Sequence, residues 1–102
     1  MSARYVFTHY SREDYINIRR YTLKKWGEKQ SKHYLNDLKK TFELIAEMPL
    51  MGENCLESLG KEVYRFPSGS HIIYYLAASN KEIVIFAILH QRMLPQKHLD
   101  NR

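Results

Sequence analysis

EIVIFAILHQRM (Glu82–Met93) is apolar at every position from Ile83 to Leu89. A strand with one wetted face alternates apolar and polar side chains, and one buried on both faces does not. In an unbroken strand Ile83, Ile85, Ala87 and Leu89 face one way, and Val84, Phe86 and Ile88 the other. What covers the second face decides the fold.

Working outward, His71–Ala78 (HIIYYLAA) is a second doubly apolar strand, joined to the first by Ser79-Asn80-Lys81. Glu62–Phe66 (EVYRF) precedes it across the turn Pro67-Ser68-Gly69-Ser70, and Ala3–His9 (ARYVFTH) reads as the first strand of the chain. Between them Ser11 opens SRED, whose Ser11 hydroxyl and Asp14 carboxylate can form a capping box. Tyr15, Ile18, Thr22 and Trp26 then recur at helical spacing until Gly27 stops the helix, which places Trp26 on the core face. A second helix carries Tyr34, Leu38, Phe42 and Ile45 on one face with Leu35 beside them, and ends at Pro49 and Gly52.

The expected architecture is a single α+β domain over residues 1–102, in the order β-α-α-β-β-β. A helical hairpin packs on a mostly antiparallel four-stranded sheet. The third and fourth strands are apolar on both faces, so neither suits an exposed edge. The first strand therefore sits beside the fourth, giving the order 2-3-4-1. A hairpin that returns the chain to its starting end makes strands four and one antiparallel. That hairpin covers one sheet face. The other has only the tail, with Leu94 and Leu99, and an uncovered apolar face is an interaction site. A partner segment is expected there and in the hairpin groove.

The chain has 102 residues, 44% hydrophobic and 26% charged, an ordinary balance for a folded domain. Its net charge of +5 favours acidic partners. Cys55 is the single cysteine, which excludes an internal disulfide. No apolar run approaches the ~20 residues that span a membrane. MSARYVFTHYSRED lacks a signal-peptide pattern, so a cytoplasmic protein is expected.

His9, His33, His71, His90 and His98 include no i,i+4 metal pair on a helix and no His-Cys cluster, so neither metal nor cofactor is expected. A metal-free ribonuclease needs a base, an acid and cations. Lys61, Tyr64, Arg65, His71, His90 and Arg92 are its candidates. A two-residue loop at Asn80-Lys81 pairs His71 with His90 across the ladder. A three-residue loop pairs Ile72 with Ile88 and Tyr74 with Phe86 and puts the histidines on opposite faces. The second register sorts the side chains better. The helical cations from Arg19 to Lys40 read as a solvated face without the aromatics of a stacking platform.

Y-T-x-x-x-W-G at Tyr21–Gly27, followed by Gln30 and Tyr34, P-x-x-G at Pro49–Gly52, A-I-L-H-x-R-M at Ala87–Met93 and then His98-Leu99 resemble the ParE toxins of the RelE/ParE superfamily. The resemblance covers nearly the whole chain. It implies the same β-α-α-β-β-β fold and the cytoplasmic toxin of a toxin–antitoxin module. An acidic, partly disordered ParD-like antitoxin would neutralise it. The doubly apolar strands and the hairpin groove make Ile73, Tyr75 and Ile85, or their opposite-facing neighbours, with Tyr15 and Leu35, its expected contacts. The resemblance also implies DNA gyrase as the target of a protein that is not an enzyme. Arg92, Met93, His90 and His98, at and after the end of the last strand, are the expected target contacts. DNA would be reached only indirectly, through antitoxin or gyrase. RelE relatives cut mRNA on the ribosome; in that alternative Arg65, His90, Arg92 and His71 are catalytic. A third reading is a binding module that is not toxic. The sequence departs from the family pattern at Pro95 and in its short polar tail.

Overall fold

The computed structural model describes residues 4–77, 82–100 and 102. Ala3, Ala78 and the turn Ser79-Asn80-Lys81, all assigned above, lie outside them. The elements are β1 (Arg4–Phe7), α1 (His9–Trp26), α2 (Glu28–Glu47), β2 (Glu53–Asn54), α3 (Leu56–Leu59), β3 (Tyr64–Ser68), β4 (His71–Ala77), β5 (Glu82–His90) and α4 (Pro95–Leu99). They form an α+β fold with the helical hairpin on one five-stranded sheet, in the order β1-β5-β4-β3-β2. The four expected strands keep their neighbours, and β2 is added at the edge.

One direction differs from expectation. β1 runs parallel to β5, Tyr5 opposite Ile83 and Phe7 opposite Ile85, not antiparallel. The cause is the segment after α2. Glu53–Asn54 pairs antiparallel with β3, so the chain runs once along the sheet before β3 begins, and every later strand is reversed. Gly52 makes that return possible. A Cβ there would overlap the Tyr75 hydroxyl and lie 2.9 Å from the Arg65 carbonyl oxygen.

The helix start also shifts. Thr8, not Ser11, caps α1: its hydroxyl accepts from the Ser11 amide at 3.1 Å, and its own amide donates to the Ser11 hydroxyl at 2.9 Å. Asp14 is thereby released for another partner. Gly27, at φ +89°, breaks the hairpin, and a buried Thr22–Ser31 hydroxyl bond of 2.7 Å ties the helices together. Trp26 is 38% exposed against the Tyr34 ring, so its expected core position is corrected; Thr22 holds the buried site.

The β4–β5 ladder corrects the preferred register, since Ile72 faces Leu89 rather than Ile88 and the two histidines are brought opposite each other. The ladder shifts by one residue only past Tyr74. His71 faces His90 and Tyr74 faces Ala87, but Tyr75 faces Ile85, so Phe86 is the extra residue of a bulge. The bulge breaks the period of two. Ile83, Ile85 and Ile88 pack with Phe42 and Ile45 beneath the helices. Ala87 and Leu89 turn to the second face with Phe86.

That second face is covered from within, which overturns the expected open surface. Cys55, Val63 and Leu99 are buried there against Tyr74, Ala87 and Leu89. Leu94, the other tail residue expected to close it, is exposed. The antitoxin contacts proposed at Ile73, Tyr75 and Ile85 are corrected with it. All three are fully buried in the chain's own core beneath the helices and offer no surface.

Candidate functional site

Beyond Phe7 the β1 side of β5 has no strand beside it, and α1 fills the gap. Asp14 Oδ2 accepts from the Ile88 amide at 3.0 Å, satisfying a strand group that β1 is too short to reach. The same carboxylate takes a two-pronged bond from Arg102, at 2.6 and 3.0 Å, with both side chains mostly buried. The Arg102 guanidinium also lies over the Tyr10 ring at 5.3 Å. Arg102, beyond α4, therefore closes back onto the start of α1.

Between this closure and the end of β5 lies an open cleft of about 450 Å³. Ile18, Ile88, Leu89 and Met93 give it apolar walls, and Asn17, Tyr21, His71, His90, Arg92 and His98 give it polar groups. His90, Arg92, Met93 and His98, the four residues assigned above to target contact, thus meet in one place. Arg92, Met93 and His98 are exposed and His90 is half-buried. Asp14, Asn17, Ile18 and Tyr21 were missed by the sequence reading. Their spacing of three, four and seven from Asp14 is one helix stripe, and that periodicity was the available signal.

His71 and His90 stand edge to face, ring centroids 5.4 Å apart. Tyr34 fixes the first of them. Its hydroxyl accepts from the Ser70 amide at 3.0 Å and lies 2.6 Å from His71 Nδ1. The phenolic proton is best used on that short contact, which leaves the His71 hydrogen on Nε2. His90 Nδ1 accepts from the Arg92 amide at 3.1 Å, so its ring hydrogen too belongs on Nε2 in the neutral form. The loop at Gly69, φ +58°, brings the backbone against Tyr34, whose ring would lie 2.7 Å from any added Cβ.

Burial first, and then the neighbouring His90, lowers the His71 pKa to about 4; Asp14 opposes the shift. Folding therefore favours the neutral imidazole, while the unfolded chain takes up a proton near pH 6.5. The associated stability is complete above that pH and is lost as pH falls towards 4, up to about 3 kcal/mol. Urea unfolding at pH 7.5 and pH 5 should show that loss in the parent chain and a smaller one in His71→Gln. Equal losses in the two proteins would remove His71 as the cause.

Of the other ribonuclease candidates Arg92 shares the cleft with both histidines, and the remaining three do not join them. Arg65 Nε donates to Glu53 at 2.9 Å, and Arg65 pairs with Tyr74, whose side chain is on the second sheet face. Lys61 donates to the Leu99 carbonyl at 3.0 Å and lies over the Phe86 ring, also on that face. Tyr64 stacks on Tyr75. Of the expected antitoxin contacts, Tyr15 and Leu35 are half-buried and line a separate groove of about 520 Å³ between α1 and α2, with Leu23, Arg19, Lys32 and Lys39. Among the described residues no group of three His, Cys, Asp or Glu side chains could hold a metal ion, and no helix is long and apolar enough to cross a membrane.

The family model described as "ParE toxin of type II toxin-antitoxin system, parDE" matches residues 5–95. Toxin ParE1 of Caulobacter vibrioides is 35% identical over 95 residues, covering 93% of this chain and 96% of that protein. Toxin ParE1 of Mycobacterium tuberculosis is 27% identical over 99 residues, covering 97% and 100%. A solved structure described as the chromosomal ParDE TA system from P. aeruginosa aligns with a TM-score of 0.70 at 13% identity, over 87% of this chain and 96% of that one. At that identity the likeness is one of fold, and the fold it supports is the one built above. With a family match over nearly the whole chain and a relative at 35% identity, the chain belongs to the ParE toxin family of type II toxin–antitoxin systems.

Proposed function

We propose that the protein is a cytoplasmic toxin that inhibits DNA gyrase by binding it, without catalysing a reaction of its own, and that direct binding of an acidic antitoxin neutralises it. The observation that carries this reading is the cleft at the end of β5. Exposed Arg92 and Met93 stand beside apolar walls of Ile18, Ile88 and Leu89. An arginine fork over apolar contacts is the chemistry of a binding hot spot. The same site is poor for RNA cleavage. His71 is buried, bonded to Tyr34 and low in pKa, which makes it a weak base at neutral pH. Of the candidate cations Arg92 stands in the cleft, but Arg65 and Lys61 belong to the other face of the sheet.

The antitoxin is assigned to the groove between α1 and α2. Leu23, Leu35 and Tyr15 offer apolar seats there, and Arg19, Lys32 and Lys39 complement an acidic segment. Induction of the chain without antitoxin tests the target. Filamenting cells with a DNA-damage response support the gyrase reading. Immediate arrest of translation with cleaved transcripts sinks it in favour of the ribonuclease.

A further inference from the structure

Residues 19–40 of the hairpin carry eight lysines and arginines against Glu28 and Asp37, a local excess larger than the whole chain's net +5. On α2 they fall in a row. Lys29, Lys32, His33, Asn36, Lys39 and Lys40 recur at steps of three and four, and all are exposed. Ser31, Leu38, Phe42 and Ile45 hold the opposite side of the helix in the core. From Lys29 to Lys40 the row is about 16 Å long. Among the described residues none of its four lysines is in an ion pair.

Helix stability does not account for this arrangement. A helix favours acids in its first turn and cations in its last. Here Lys29 and Lys32 lie near the N-terminus, and Glu43 and Glu47 near the C-terminus, with no basic residue in the last turn. Apart from Glu28 in the first turn, the charges run against the helix dipole, so stabilising the helix is not what places the lysine row. Between Lys29 and Lys40 the row has no apolar anchor, whereas the core of a protein–protein interface is built on such anchors. Dense positive charge with polar donors and little apolar area is the character of a surface for nucleic acid. Exposed Trp26 closes the end of the row, lining a shallow groove with Lys29, Lys32, His33 and Asn36.

We propose that this outer face of α2 binds the phosphate backbone of duplex DNA directly. The contact is independent of sequence, because phosphates position a protein without reading bases. It shares Lys32, Asn36 and Lys39 with the rim of the groove assigned to the antitoxin, and it needs no gyrase.

The test uses the purified full chain and a short fluorescent duplex, with no gyrase present, followed by polarisation between about 50 and 200 mM salt. The parent chain should bind, with an affinity that falls linearly on a log–log salt plot. The triple variant Lys29→Gln, Lys32→Gln, Lys39→Gln should keep its melting temperature, since all three side chains are exposed. Its salt slope should be shallower by about 0.9 for each lysine removed, and its affinity at the lowest salt about tenfold weaker or more. Parent and variant binding alike would overturn the proposal. So would polyglutamate displacing the duplex as efficiently as an unlabelled duplex does, which would mark an acidic-protein surface. Failure of gyrase inhibition would leave these results untouched, so the two readings stand or fall separately.

Discussion

Asp14→Ala is expected to lower the free energy of unfolding by about 3–5 kcal/mol, the range for breaking one side of a buried ion pair. Removing the carboxylate strands two groups together. The Arg102 guanidinium, only 11% exposed in its side chain, loses both of its bonds to Asp14. The Ile88 amide loses its acceptor at a point where β1 no longer reaches β5. A charge and an amide left without their partner in a mostly buried place are each costly. Arg102→Ala alone should cost less, because Asp14 keeps the Ile88 amide. The double variant should then cost less than the two single changes added, since they remove the same pair. Equilibrium urea unfolding of the three variants measures this. Additive single effects of under 1 kcal/mol would mean that the closure of the tail onto α1 contributes little.

The second large effect is expected at Leu99. Leu99→Ala should destabilise the isolated chain by about 2–5 kcal/mol, the range for truncating a buried leucine. Its side chain is 1% exposed and packs in the cluster of Cys55, Val63, Tyr74, Ala87 and Leu89 on the second sheet face. This substitution asks directly whether the chain covers that face itself. A surface left for a partner would tolerate the change in the free protein and register it only in the complex. Thermal or urea unfolding of the free chain separates the two cases. A shift within about 0.5 kcal/mol of zero, the scale of a surface substitution, would say that the face is open.

Periodicity made most of this fold legible. The stripe of Leu38, Phe42 and Ile45 is buried as its spacing requires, and the four strands keep the neighbours that their apolar faces demanded. What stayed hidden was everything that breaks a period. The bulge at Phe86 sends Ile88 to the same face as Ile85, so a uniform apolar run holds two alternating segments out of phase. The segment ENCLESLG (Glu53–Gly60) has no alternation, and its strand is two exposed residues, yet it reverses the sheet and buries Cys55. At α1 both Thr8 and Ser11 obey capping rules; Thr8 caps the helix, and Asp14 is left to bind the Ile88 amide of β5.

The site divides in the same way. Arg92, Met93, His90 and His98 share one cleft because they follow the strand whose end forms it. Tyr34 and Asp14 come from distant positions, and only the packed hairpin brings them to that end. Contacts read from sheet alternation alone failed at Ile73, Tyr75 and Ile85. Alternation tells which residues share a face, but not which face the chain has already covered.

The account rests on binding at Arg92, and purified components test it most directly. Parent and Arg92→Ala proteins are compared with gyrase on supercoiled DNA and, in parallel, with programmed ribosomes. Parent protein should inhibit gyrase and leave message intact. Arg92→Ala should keep the fold, since the side chain is exposed, and should weaken gyrase binding by about 2 kcal/mol or more, roughly thirtyfold. Message cleaved by the parent and not by Arg92→Ala, with gyrase unaffected by either, would contradict the account.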